Sequence, residues 1–212
     1  MTRHAQSERQ LLCDELERLG PDAPTLCEGW ATRDLAVHLH VREAQPHLAV
    51  GHHLPLVGDR FRQSERALAG DYAALVEKVR AGAPRWNPVS LPRVDEVANL
   101  LEYFVHHEDL RRAQDGWAPR PLSNELQRAL WGALRRIARV LFRRSATGVV
   151  LIAEGLGRRY AAKLPDTRGT VVVRGEPGEL VLFAFGRGDH ARVDLSGDPG
   201  DVEALKASRL GF

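Results

Sequence analysis

Glu102 and His106 have the residue types and the spacing of a metal-ligand pair in this 212-residue chain. Residues four positions apart lie on one face of a helix, with Cβ atoms ~5–6 Å apart, so both side chains reach one ion. A carboxylate oxygen and an imidazole nitrogen suit zinc, and nickel, manganese and iron are also candidates. His107 is rotated by about 100° from His106 around the helix and cannot bind the same ion. The spacing predicts a divalent-metal site on this helix.

The same spacing also occurs where a regular helix is not expected. Glu43 and His47 lie four residues apart, but Pro46 between them disfavours a helix there. His4 and Glu8 show the reverse order at an N-terminus that is expected to fray. Because such pairs arise by chance, surface or internally hydrogen-bonded side chains remain the alternative interpretation of the Glu102 pair.

His38 is the candidate third ligand, in a helix that can pack against the one carrying Glu102. It lies beside Leu35 and Leu39, and an imidazole in that position is more often a hydrogen-bonded core histidine than a ligand. Both interpretations stay open. Asp34, one turn earlier, either orients the His38 ring by a hydrogen bond or interacts favourably with the positive end of the helix dipole.

The elements that position these residues are predicted from apolar periodicity and from breaker residues. In the first half, the spacing predicts helices over residues 7–19, 33–44, 61–81 and 94–112. Four helices in that order favour an antiparallel four-helix bundle. The second half is predicted to be α+β, with strands over 148–154, 158–164, 170–174 and 191–195, and helices over 123–144, 177–185 and 201–208. We therefore expect an α+β protein of two domains, residues 1–118 and 119–212.

Composition limits the range of functions. With 30 basic and 28 acidic residues the net charge is +2, which is too balanced to indicate a nucleic-acid or membrane partner. No apolar run approaches the ~18 residues of a membrane span, and no signal peptide is apparent. Cys13 and Cys27 are too few for a disulfide framework, so a reduced, cytoplasmic location is expected. Six arginines on the helix over 123–144 are interpreted as a solvated face.

Three segments carry a resemblance to a known family. GWATRDLAVH at 29–38 and EYFVHHED at 102–109 resemble the two ligand segments of the mycothiol-dependent maleylpyruvate isomerase metal-binding domain. That domain belongs to the DinB-like group of metal-binding four-helix bundles. The stretch 186–198 is similar to the small, sterol-carrier-like α+β domain that ends these proteins.

The resemblance implies a divalent metal, zinc first, held by His38, Glu102 and His106. Three protein ligands with an open fourth position are the arrangement of catalytic zinc. It further implies mycothiol, or a similar low-molecular-weight thiol, as cosubstrate in the transfer or isomerisation of a small electrophilic substrate. The alternative is a non-enzymatic metal-binding or ligand-binding module. The basic residue that binds substrate in the family has three candidates here: Arg60, Arg62 and Arg66.

Overall fold

The computed structural model describes residues 4–44, 70–84, 87 and 92–211. These residues divide into two compact units, Met1–Ala118 and Pro119–Phe212. Helices and a mixed four-stranded sheet occur together among them, which confirms the predicted α+β class. No helix in the described ranges is long and apolar enough to cross a bilayer.

The described part of the first unit is helical. Its α-helices are α1 (His4–Leu19), α2 (Thr32–Ala44), α3 (Tyr72–Ala81) and α4 (Pro92–Arg112). Helix α1 packs against α3 and α4, and α2 packs against α3. Apolar side chains at helical spacing fill the interior between them, among them Leu12, Leu16, Leu35, Leu39 and Val76. The apolar residues whose spacing predicts these helices are thus the residues that fill the core between them.

The prediction of one helix over 61–81 is wrong at Gly70 and Asp71. Helix α3 begins at Tyr72 because Asp71 is its N-cap, with extended dihedral angles of φ −122° and ψ 93°. The Asp71 carboxylate accepts the Ala74 N–H at 3.0 Å. An N-cap residue lies outside the helical conformation, so the chain cannot continue helically through it. The rest of that predicted helix lies outside the described residues.

The second unit begins with α5 (Asn124–Leu141) and continues as β1 (Gly148–Ala153), β2 (Arg158–Lys163) and β3 (Thr170–Gly175). It ends with α6 (Pro177–Ala184), β4 (Asp194–Ser196) and α7 (Pro199–Lys206). The strand order is β2-β1-β3-β4, with β1 and β3 parallel and both outer pairs antiparallel. Strands β1 and β2 form an antiparallel pair, with Val149 opposite Lys163 and Ala153 opposite Arg158.

The end of the second unit differs in part from the prediction. Helix α6 is as expected, with Pro177 at its first turn and Gly186 just beyond its end at φ +84°. The last strand is shorter than the predicted 191–195, because the Arg192 N–H donates to the Glu179 carboxylate at 2.7 Å. That N–H therefore does not join the sheet, and a short 3₁₀ helix, Gly188–His190, lies just before it.

Candidate metal centre

Helix α4 presents Glu102 and His106 on one face, as their spacing predicts. His106 Nε2 lies 3.2 Å from Glu102 Oε1. Every described residue from 99 to 110 is buried except Glu102, whose side chain keeps 19% of its surface exposed. The pair therefore combines a buried imidazole with a carboxylate that reaches the surface of the unit.

Helix α2 brings His38 to the same point from 64 residues earlier in the chain. His38 Nε2 lies 3.2 Å from the same oxygen, Glu102 Oε1. The two imidazole rings meet edge to face, with centroids 5.4 Å apart and planes at 73°. One ligand atom from each of the three residues lies within 4.8 Å of the other two. The structure thus brings the three predicted ligand residues together, and their binding of a metal stays a prediction.

The spacing of these atoms can be compared with that of a zinc site. Ligand atoms bound tetrahedrally at 2.0–2.2 Å from zinc lie ~3.3–3.6 Å from one another. The two separations from Glu102 Oε1, both 3.2 Å, are close to that range. Two imidazole nitrogens and a carboxylate oxygen are also the donor types that zinc takes. The residues present fit a divalent ion.

The electrostatics of the centre favour a positive charge at this point. Burial raises the pKa of the Glu102 carboxyl, but hydrogen bonds from His106 and His38 outweigh it and hold that pKa well below its usual range. Arg42 Nε, 3.5 Å from Glu102 Oε1, acts in the same direction. Burial lowers the pKa of His106, but hydrogen bonds with Asp109, Cys27 and Glu102 raise it well above its usual value.

Asp109 and Cys27 complete the surroundings of His106 on its other ring nitrogen. Asp109 Oδ2 accepts from His106 Nδ1 at 2.9 Å, and the Cys27 thiol donates to the same oxygen at 3.3 Å. The backbone N–H of Leu26 donates to the Asp109 carbonyl at 3.2 Å, which fixes the loop between α1 and α2 on α4. With Nδ1–H engaged by a carboxylate, Nε2 is the nitrogen left for a ligand bond. Cys27, His106 and Asp109 also form a second group that could hold an ion.

Asp109 is a residue that the sequence analysis did not select. Its signal was available, because residues three apart on a helix are neighbours and Asp109 follows His106 by three. Asp34, the predicted partner of His38, accepts instead from the Ala31 N–H at 2.9 Å, at the start of α2. Two roles were considered for Asp34, a hydrogen bond to the His38 ring and an interaction with the N-terminal end of α2. This contact corresponds to the second.

Trp30 and His107 differ in their position relative to the candidate metal centre. Trp30 stacks at a tilt on His38, with ring centroids 5.2 Å apart. His107 points away from the centre and pairs with Glu8 at 3.2 Å inside the helical unit. The candidate substrate arginines, Arg60, Arg62 and Arg66, lie outside the described residues.

Comparison with solved structures places the fold among known proteins. The chain matches the crystal structure of a mycothiol-dependent maleylpyruvate isomerase with a TM-score of 0.59, over 91% of this chain and 90% of that one, at 18% identity. A point mutant of that enzyme matches with a TM-score of 0.58 over the same shares. No protein-family model and no curated relative matches. The resemblance seen in the sequence is therefore confirmed at the level of the fold, which at this identity is as far as the likeness extends.

Proposed function

We propose that this protein binds a divalent metal, zinc first, through His38, Glu102 and His106. The observation that carries the proposal is the convergence of three ligand atoms from two helices within 4.8 Å. His38 lies 64 residues before Glu102 and His106 lies four residues after it. The Nε2 atom of each ring is 3.2 Å from the same carboxylate oxygen, Glu102 Oε1. A charged cluster with little exposure to water is costly unless its groups are matched, and a cation here would match the carboxylates of Glu102 and Asp109.

The proposed activity is thiol-dependent transfer or isomerisation of a small electrophilic substrate, with mycothiol or a similar low-molecular-weight thiol as cosubstrate. A divalent ion with three protein ligands supplies an open position where it polarises a carbonyl or holds a sulfur as thiolate. Asp109 would keep the His106 ring in one orientation and one tautomer, and Trp30 would hold the His38 ring from its other side. The fold shared with the isomerase structures supports this choice over other metal-dependent reactions.

The proposal extends to the two units. We assign residues 1–118 to a DinB-like, antiparallel four-helix bundle that binds the metal, and residues 119–212 to a small sterol-carrier-like domain. The four described helices of the first unit and the mixed sheet with flanking helices in the second support this assignment. A cytoplasmic location belongs to the same proposal, because low-molecular-weight thiols are kept reduced there.

Metal analysis of the purified full-length protein tests the ligand set. We expect one divalent ion per chain in the wild type and a loss of at least tenfold in metal affinity for Glu102→Gln and His106→Ala. The matched control is His40→Ala, which removes a half-buried imidazole two residues from His38 on the same helix and should retain the ion. Full metal retention in His106→Ala contradicts the assignment.

Cys27→Ser separates the two groups that could hold an ion. If the ligands are His38, Glu102 and His106, the serine variant keeps its metal. If the ion instead lies between Cys27, Asp109 and His106, the serine variant loses it, while His38→Asn does not. Turnover of maleylpyruvate with and without mycothiol then tests the reaction. A metal-loaded protein without thiol-dependent turnover would favour the non-enzymatic binding module.

A further inference from the structure

The second unit contains a cavity of about 370 Å³, formed by residues of α5, the β1–β2 turn and the start of β2. Its lining includes three arginines, a tryptophan, a leucine and a glycine: Arg128, Arg135, Arg158, Trp131, Leu156 and Gly132. All of these residues belong to the unit Pro119–Phe212. No residue of the candidate metal centre lines the cavity, so a site there is independent of the proposed function.

The spacing along α5 explains why a recess exists. Arg128, Gly132 and Arg135 are at positions i, i+4 and i+7, so they share one face of the helix. At 1.5 Å per residue the two arginines are ~10 Å apart along the axis. Gly132 leaves a notch between them, because a Cβ built there meets no atom within 4 Å. A glycine is disfavoured in a helix interior, which makes its presence between two arginines informative.

The three arginines lack counterions within the described part of the chain. Neither Arg128 nor Arg158 forms an ion pair or side-chain hydrogen bond there, and Arg135 stacks only on the Tyr160 ring at 5.4 Å. Arg80 of the helical unit, for comparison, is paired with three carboxylates. Three unpaired guanidinium groups around one recess add their fields there and attract an anion. Their planar forks match carboxylate and phosphate oxygens.

The apolar part of the lining limits the kind of anion. Trp131 is 3% exposed, so its indole is a fixed wall of the cavity. Leu156 lies on the opposite element, in the β1–β2 turn. A volume of about 370 Å³ is at the lower end of the range for small-molecule sites. A bare inorganic ion would leave the apolar walls without a partner, whereas an anion with a flat apolar body contacts both kinds of surface.

We propose that this cavity is a binding site for a small organic anion, whose apolar body lies in the notch at Gly132 against Trp131 and whose carboxylate or phosphate is held by Arg128, Arg135 and Arg158. A nucleic acid is the less favoured ligand. A single-stranded nucleic acid needs a basic groove that follows its extended backbone, whereas these arginines surround a recess.

Calorimetric titration of the full chain tests this site with three probes: 1-naphthoate, 1-naphthyl phosphate and neutral 1-naphthalenemethanol. We expect submillimolar binding of at least one anion and at least tenfold weaker binding of the alcohol. The tighter of the two anions identifies whether the site takes a carboxylate or a phosphate. Equal binding of the alcohol overturns the proposal, because the guanidinium groups would then contribute nothing.

Two double variants separate a local site from overall charge. Arg128→Gln with Arg135→Gln should weaken anion binding at least tenfold. Arg136→Gln with Arg139→Gln removes the same charge from exposed positions of the same helix that do not line the cavity, and should change it less than twofold. Equal losses in both double variants, or a single-stranded oligonucleotide that binds tighter than either anion, overturn the proposal.

Gly132→Leu tests the recess itself while leaving every charge in place. The leucine side chain should fill the notch and abolish binding of both anions, with the circular dichroism spectrum and melting temperature of the wild type retained. Gly132→Ala, which fills less of the notch, should show an intermediate loss. Undiminished anion binding by a folded Gly132→Leu protein shows that the ligand does not occupy the notch and overturns the assignment.

Discussion

The helical unit buries many ionisable side chains, whereas the C-terminal unit keeps almost all of its own at the surface. Among the described residues, the buried acidic and basic side chains of the first unit are Glu8, Arg9, Glu43, Glu108, Asp109 and Arg112, besides two histidines. Those of the second unit are Glu179 and Asp201. The apolar core of the second unit instead includes a stacked aromatic pair, Phe142 and Phe183, with centroids 6.4 Å apart.

Helices α4 and α5 show the contrast most directly. Helix α5 is one-sided, with leucines inside and arginines outside, so packing accounts for its buried face. Helix α4 is buried around nearly its whole circumference from 99 to 110, yet it carries six polar or charged residues there. Buried charges persist only when they are paired or bind ions. A helix like α4 therefore identifies the part of the molecule where a site is to be sought, and the partly exposed Glu102 identifies its opening.

The largest expected effect comes from breaking a buried ion pair of α4. Glu108 is fully buried and accepts from Arg112 Nε at 2.6 Å and from Arg111 at 3.0 Å. Glu108→Ala leaves the buried Arg112 guanidinium with less compensation, so we expect a loss of about 3–5 kcal/mol in the free energy of unfolding. Urea denaturation in the presence of EDTA measures it without a contribution from metal.

The matched change on α5 is Arg136→Ala, which removes an exposed charge. Surface substitutions of this kind change stability by about 0.5 kcal/mol or less. Because the two units need not unfold together, hydrogen exchange resolved by segment should accompany the denaturation curve. Similar losses for Glu108→Ala and Arg136→Ala would contradict the contrast between the two helices.

Metal binding should stabilise the helical unit by a calculable amount. An ion that binds only the folded state at 100 times its Kd adds about 2.7 kcal/mol to the free energy of unfolding. We expect this gain in the wild type and its absence in Glu102→Gln. Hydrogen exchange should slow in α2 and α4 and stay unchanged in α5. A gain of equal size in the Glu102→Gln variant would place the ion elsewhere.

Alkaline pH should destabilise the unit that buries Cys13. Burial raises the pKa of this thiol from 9.0 to about 12. The folded state then keeps a proton that the unfolded state releases above pH 9, so stability falls as pH rises from 9 towards 12. At pH 10 the loss should be about 1.4 kcal/mol relative to neutral pH. The difference between wild type and Cys13→Ala across this range isolates the thiol, and parallel pH curves would contradict the prediction.

The same contrast explains how far the sequence could predict the structure. The strands were located as short apolar runs bounded by Gly and Pro, and α6, which is buried on all sides, by Pro177 at its first turn and Gly186 just beyond its end. Apolar periodicity located α5, because packing on one side decides that helix. It also located α4, but not the reason for Glu108 in the middle of its apolar stripe. That reason is a pair of arginines three and four residues later. The break at Asp71 was missed because a favourable helical composition on both sides outweighed a single capping residue.

The candidate site was predictable in part for a related reason. The pair on α4 follows from local spacing, which a sequence shows directly. His38 lies 64 residues from Glu102, and no local rule relates them. The residue pattern alone therefore left the role of His38 open, and the family resemblance implied it. Asp109 satisfies a local rule but was overlooked beside a stronger motif. The approach of His38 to Glu102 is a tertiary contact, and the periodicity of a sequence does not contain that information.

A small effect is expected at the N-terminus of α5. The exposed Ser123 is its N-cap, and its hydroxyl oxygen accepts the Leu126 N–H at 3.2 Å. Ser123→Ala should cost about 1 kcal/mol, because water can replace the lost acceptor only in part. Hydrogen exchange at the first turn of α5 should accelerate accordingly, while Ser123→Thr stays near the wild type. A loss as large as that of Glu108→Ala would mean that α5 depends on polar contacts as strongly as α4 does. The two units would then differ in where their polar side chains lie, but not in how much those side chains contribute to the free energy of unfolding.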